Sequence, residues 1–230
     1  MKPDISQKFS LSAQSMKKSA IREILKLLQN PEMISFAGGL PSPDSFPLDE
    51  IKEITSSVLE TDGKAALQYG TTEGDPALRE MLLKRHREQG LSAGHKNLAI
   101  STGSQQALDI LAKILIDRGD YIICGLPSYL GGLSAFNAYG AQMKGIPFDD
   151  YGMKADELEK TLVELENENK KVKFIYVIPD FQNPAGITMP ESRRKEILEI
   201  ASKHDLLVME DSPYRDIRFE GETQKLMYEM

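Results

Sequence analysis

The spacing of apolar positions along the chain alternates between two regimes. In Leu48–Asp62, Leu48, Ile51, Ile54, Val58 and Leu59 recur every three or four residues, which places them on one face of a helix, and Gly63 suits its C-terminal stop. Helices are likewise expected over Ser15–Gln29, Asp75–Glu88, Ser104–Asp117, Ser128–Ala138, Ala155–Glu166 and Glu191–His204. The first of these ends at Asn30-Pro31, because the residue before a proline is pushed out of the helical region. Between the helices lie shorter segments: Asn97–Ser101, Tyr121–Cys124, Gln142–Pro147, Lys173–Ile178 and Leu206–Glu210. Phe174 to Ile178 and Leu206 to Met209 are apolar without alternation, as strands covered on both faces are. The pattern therefore predicts an α/β fold with a mostly parallel open sheet flanked by helices.

Phe36–Pro47 is rich in Gly and Pro and is the one internal boundary, dividing an N-terminal helical arm, residues 1–34, from an α/β body, residues 35–230. The length of 230 residues suits one large domain, and 40% apolar with 27% charged residues suits a globular chain with a core. The net charge is −7, and no basic cluster exceeds a pair such as Lys17-Lys18 or Arg193-Arg194. That argues against nucleic acid and against a polybasic membrane patch. Apolar runs fall far short of the ~20 residues that span a bilayer. No apolar run follows Lys2, so a secretory leader is not expected. The single cysteine, Cys124, rules out an intrachain disulfide framework. A cytoplasmic, acidic, soluble protein is expected. His86, His95 and His204 lack metal-ligand spacing, with His86 and His204 expected on solvated helix faces and Cys124 in the core. Neither G-x-x-x-x-G-K-[ST] nor G-x-G-x-x-G occurs, which disfavours nucleotide binding through those motifs.

Ligands of open α/β sheets gather outside the carboxyl ends of the strands, so the residues there carry the candidate chemistry. After Asn97–Ser101, Gly103-Ser104-Gln105 turns into a helix whose first N–H groups favour an anion; the alternative is an ordinary cap with Ser104 as N-cap. After Tyr121–Cys124 stands Tyr129, either a stacking face for an aromatic ligand or a core tyrosine. After Phe174–Ile178, Asn183 precedes Pro184 and Gly186; its amide can donate to a ligand oxygen, or the segment simply reverses the chain. After Leu206–Glu210 comes Asp211, a carboxylate closing a buried strand. It caps a turn, pairs with Arg215 or Arg218, or faces a protonated ring nitrogen with Tyr214 near the ring's hydroxyl.

Taken in order, these elements resemble the fold-type I aminotransferases of class I/II, which use pyridoxal 5'-phosphate, in the branch of the kynurenine/α-aminoadipate enzymes. The resemblance rests on Ser35 to Pro41 (Ser-Phe-Ala-Gly-Gly-Leu-Pro), Leu67-Gln68-Tyr69-Gly70, Gly74, Gly103 to Leu108, Pro127-Ser128-Tyr129, Asn183-Pro184-Ala185-Gly186 and Asp211-Ser212-Pro213-Tyr214. It implies that Gly103, Ser104 and Gln105 hold the cofactor phosphate and that Tyr129 stacks on the pyridine ring. Asn183 and Tyr214 then bond the 3-oxygen, and Asp211 pairs with the ring nitrogen. Tyr69 reaches the phosphate in a neighbouring subunit, which implies a homodimer. Gly38 and Gly39 line the carboxylate end of the substrate, an amino acid or 2-oxo acid, and Arg22 belongs to an N-terminal segment over the site.

The sequence also departs from that pattern. In the family the lysine that forms the Schiff base follows the Asp-x-x-Tyr element within a few tens of residues, and a small C-terminal domain follows later. The last lysine here, Lys225, lies in Gly221-Glu222-Thr223-Gln224-Lys225-Leu226, which lacks that motif and distance. The chain as given is thus expected to be inactive and its longer parent an aminotransferase. The alternatives are a β-eliminase or C–S lyase on the same fold, a PLP-sensing regulatory module, and a non-catalytic PLP-binding fragment.

Overall fold

The computed structural model of the chain describes residues 5–15 and 39–230. Most of the expected helix Ser15–Gln29, together with Arg22 and Gly38, lies outside the described residues. The chain divides into two compact units: residues 1–16 with 77–230, and residues 17–76.

The larger unit is built on a five-stranded sheet of β1 (Tyr121–Leu126), β2 (Gln142–Asp149), β3 (Gly152–Met153), β4 (Val172–Val177) and β5 (Leu207–Glu210), in the order β3-β2-β1-β4-β5. β2, β1, β4 and β5 are parallel, and β3 turns back antiparallel on β2. The predicted α/β fold is the observed one. β3, only two residues long, has no signal of its own in the apolar pattern.

The two faces of the sheet explain why its strands read as unbroken apolar runs. Ile122, Cys124, Phe174 and Tyr176 point to one face, where they pack with Leu108 and Ala112 of α4 (Gly103–Leu115) and Phe136 of α5 (Leu130–Ala138). Ile123, Ile175 and Val177 point to the other, against Leu158 and Leu162 of α6 (Ala155–Asn167) and Ile197 of α7 (Glu191–Lys203). Each residue in the period-2 alternation therefore finds a helix. Phe136 meets the rings of Phe174 and Tyr176 edge-on, at 5.3 and 5.1 Å between centroids. A short α1 (Leu11–Ser15) is tied to α5 through the Ser12 hydroxyl, which donates to the Ala138 carbonyl.

One expected strand is not formed. Leu98–Ser101 joins no strand, though Leu98 itself is extended, and His95–Asn97 is a 3-10 turn. A strand needs a ladder partner as well as an apolar rhythm. Here the Leu98 carbonyl instead accepts from Arg79 Nε, at 3.1 Å, on α3 (Pro76–Glu88).

In the smaller unit, α2 (Leu48–Ala66) carries Asp49 and Glu50 in its first turn, where the helix dipole favours negative charge. The expected stop at Asp62-Gly63 appears as a break rather than an end: Asp62 leaves helical geometry (φ −139°, ψ 21°) and the helix resumes to Ala66. The apolar stripe Leu48, Ile51, Ile54, Val58 and Leu59 is exposed. Among the described residues no helix is long and apolar enough to cross a membrane.

Candidate functional site

β1 stands mid-sheet, with β2 on one side and β4 on the other. The chain leaves β1 in one direction and returns to its opposite flank, so the connections diverge, the topology that in open α/β sheets leaves a crevice outside the carboxyl ends of the strands. Four of the segments picked out in the sequence meet there.

The first is the opening of α4. Gly103 has φ +76°, a conformation that L side chains resist. The N-cap residue is Thr102, not Ser104, and it makes no side-chain capping bond. Its own N–H donates to Gln106 Oε1. Gly103, Ser104 and Gln105 thus form an exposed first turn that no capping side chain closes, at the positive end of the helix dipole. Gln105 Nε2 donates to the Gly131 carbonyl at 3.1 Å, and Tyr129 Oη donates to Gln105 Oε1 at 3.4 Å, joining this turn to the loop after β1. Tyr129 itself folds over Gly131, where a Cβ would lie 2.3 Å from its Oη, so the close approach requires glycine.

The loop after β4 carries the second group. Asn183 Nδ2 donates to Tyr214 Oη at 3.0 Å, so two residues 31 positions apart present an amide and a phenol together. The loop is clasped by a residue the sequence reading did not single out. Gln182, buried, donates from Nε2 to the Pro127 carbonyl (3.1 Å) and the Asn183 carbonyl (2.8 Å), and its Oε1 accepts from Ala185 N (2.8 Å). It ties the loops after β1 and β4 to each other.

The third group is Asp211, at the end of β5. Its backbone N–H donates to the Val177 carbonyl at 2.9 Å, and its Oδ2 accepts from Tyr176 Oη at 2.8 Å. The pairing with arginine left open by the sequence is not made. Arg218 donates to Asp180 Oδ1 (3.0 Å) and lies over the Phe181 ring, and Arg215 donates to the Gln224 carbonyl (3.3 Å). Burial pushes the Asp211 carboxyl above its ordinary range, partly offset by the Tyr176 hydrogen bond. Burial raises the Tyr129 phenol too, with smaller contributions from Tyr214 and Asp211.

Beneath the crevice lies a second unforeseen feature. Arg194, fully buried, pairs with the equally buried Asp180 at 3.0 Å and donates to the carbonyls of Met189 (2.8 Å), Lys225 (2.8 Å) and Pro179 (3.3 Å). In sequence Arg193-Arg194 is only a short basic pair. Arg193 does salt-bridge Asp149 and Glu196 in partial exposure, whereas Arg194 turns inward. Tyr176 had a detectable signal, since a phenol within a doubly covered strand needs a partner for its hydroxyl. Gln182 and Arg194 had none.

Gly39 and Tyr69 belong to the smaller unit, where Gly39 takes φ +57° and Tyr69 is 99% exposed. His204 departs from its expected solvated position: its side chain is 5% exposed, held between Glu166 (Nδ1 to Oε1, 2.6 Å) and Glu159 (Nε2 to Oε2, 3.4 Å). The C-terminal end of α7 brings it against α6, which sequence spacing within one helix cannot foresee. Cys124 is buried as expected, its thiol pushed up to about 11 by desolvation. Among the described residues no group of three or more His, Cys, Asp or Glu side chains is arranged so that it could hold a metal ion.

A family model described as aminotransferase class I and II matches residues 31–227. The chain is 48% identical, over 96% of its length, to aromatic-amino-acid aminotransferase 1 of Thermococcus litoralis, of which it covers 54%. Its fold superposes with a TM-score of 0.91 on a crystal structure of Pyrococcus horikoshii kynurenine aminotransferase in complex with PMP, at 44% identity, covering 98% of this chain and 56% of that one. It superposes with a TM-score of 0.86 on the α-aminoadipate aminotransferase of Thermus thermophilus complexed with N-(5'-phosphopyridoxyl)-L-leucine, at 34% identity, covering 99% of this chain and 55% of that one. The chain thus spans about half the length of the relatives it matches.

Proposed function

Because this chain belongs to the class I and II aminotransferases, we propose that the protein transfers an amino group between an α-amino acid and a 2-oxo acid, with pyridoxal 5'-phosphate seated at the carboxyl edge of the sheet. The observation that carries this reading is Asp211. A largely buried carboxylate with a phenol for its hydrogen-bond partner and no paired cation among the described residues is costly to keep ionised, unless a cation completes it on binding. A protonated pyridine nitrogen is such a cation, and when bound the cofactor supplies an electron sink for charge developing at the substrate α-carbon.

The remaining residues fit the same group. The open first turn of α4 at Gly103, Ser104 and Gln105 suits a phosphate, which helix N–H groups and the dipole both favour. The Asn183–Tyr214 pair offers hydrogen-bonding groups of the kind a ring 3-oxygen needs. Tyr129, held between Gln105 and Gly131, borders the place for the ring face. None of these residues is a base for the substrate α-proton, so these side chains bind and orient and that proton transfer falls to another group. Gly38 and Gly39 are proposed to line the substrate's carboxylate end. Tyr69, fully exposed within its own chain, is proposed to reach the phosphate in a second copy, making the protein a homodimer. The same reading keeps the division into an arm (1–34) and a cofactor-binding body (35–230), and places the protein in the cytoplasm without nucleic-acid or membrane partners.

The test uses pyridoxamine 5'-phosphate, which needs no covalent attachment, titrated into the chain and followed by fluorescence. Binding should weaken roughly 10- to 100-fold in Asp211→Ala, the equivalent of losing one charge-assisted hydrogen bond. Equal affinity of Asp211→Ala and the unsubstituted chain would remove the basis of the reading.

A further inference from the structure

We infer that Tyr176 is a positioning residue for Asp211, donating its hydroxyl to Oδ2 so that one carboxyl rotamer is held and Oδ1 remains as the acceptor for a ring nitrogen. The inference rests on the cofactor reading above and names a residue that takes part without touching the cofactor. Tyr176 is 1% exposed and lies on β4, next to β5, which Asp211 follows directly. Phe136 holds its ring edge-on at 5.1 Å. A Cβ at Gly132 would sit 3.0 Å from the Tyr176 hydroxyl, so α5 closes over the phenol and leaves its oxygen little room to swing away. The 2.8 Å bond to Asp211 is accordingly fixed from both ends of the tyrosine.

The choice of donor has chemical consequences. A lysine or arginine at this point would neutralise Asp211 and compete with a protonated ring for it. A phenol donates one hydrogen bond, steadies the ionised carboxylate against desolvation, and leaves its charge uncompensated. The phenol keeps its proton, because burial and the Asp211 charge both drive its pKa upward. The other titratable groups bearing on this pair are the phenols of Tyr129 and Tyr214.

Tyr176→Phe removes the oxygen and keeps the ring packing. The midpoint of Asp211 is read by carboxyl carbon NMR in cofactor-free protein, and pyridoxamine 5'-phosphate affinity is read by fluorescence across pH. The Asp211 midpoint should rise by roughly one to two pH units in Tyr176→Phe, the effect of removing one hydrogen bond to a charged group. Affinity should fall about tenfold at pH values between the old and the new midpoint and recover as pH rises through the new one, a dependence that loosened packing alone does not produce. A midpoint unmoved by the substitution overturns the inference. If the midpoint moves as expected but the unsubstituted chain takes up no pyridoxamine 5'-phosphate, the hydrogen-bond role stands and the cofactor reading alone falls.

Discussion

Replacing Arg194 by Met tests how the crevice is supported. The guanidinium and the Asp180 carboxylate are both fully buried, 3.0 Å apart. Three carbonyls, those of Met189, Lys225 and Pro179, also accept from Arg194. Met fills much of the volume but supplies no donor, so Asp180 keeps only Arg218 and three carbonyls lose a partner. Removing one member of a buried ion pair costs roughly 3–5 kcal/mol. For a chain of this size each kcal/mol lowers the midpoint temperature by about 2–4 °C, which gives a drop of roughly 6–20 °C. Urea denaturation followed by circular dichroism measures the free energy, and a thermal scan measures the temperature shift. The double variant Arg194→Met/Asp180→Leu should lose less than the sum of the two single changes, because both single changes remove the same buried contact, and the second also takes away the carboxylate that the first leaves with Arg218 alone. A loss below about 1 kcal/mol for Arg194→Met would refute the reasoning, since it would mean that the pair is hydrated or dispensable. Because Pro179 and Asp180 lead into Gln182 and Asn183, the same variant should also weaken pyridoxamine 5'-phosphate binding.

Two further predictions concern the strand ends. In Gly125→Ala the new Cβ would lie 2.2 Å from Cζ of Phe148, so the substitution should destabilise the chain by about 1–3 kcal/mol, and adding Phe148→Leu should recover most of that in urea melts. Asp211→Asn should stabilise the cofactor-free chain at neutral pH. Burial raises the folded Asp211 carboxyl above its ordinary 3.8, so stability is full below that value and is lost as pH rises through the folded one. Removing the charge removes that loss. Denaturation midpoints measured between pH 3 and 8 should therefore fall with pH more steeply in the unsubstituted chain than in Asp211→Asn, and parallel curves would count against it.

Much of the architecture was open to reading from the chain alone. Apolar runs such as Phe174 to Ile178 announce strands covered on both sides, and the 3.6-residue stripes announce the helices that cover them, because burial acts on local periodicity. The candidate site was legible for a related reason. In a parallel sheet every strand delivers its next residues to the same edge, so Gly103, Tyr129, Asn183 and Asp211 could be assembled from their places after successive apolar runs. Even the strand expected at Asn97–Ser101, which does not form, left the turn that follows it in place.

What tertiary structure alone decided is which polar groups found partners across the fold. Nothing near Arg194 in sequence says that it turns inward to Asp180 while Arg193 stays outside, nor that Gln182 clasps the loop after β1, nor that His204 is enclosed by two glutamates of α6. Likewise Asp211 had three open fates in sequence, and the structure gave Arg218 to Asp180 and Tyr176 to Asp211. Hydrophobic burial is additive and local in pattern, so a sequence displays it. A hydrogen bond or ion pair depends on ångström-scale distance between residues tens of positions apart, and that distance exists only once the chain has folded.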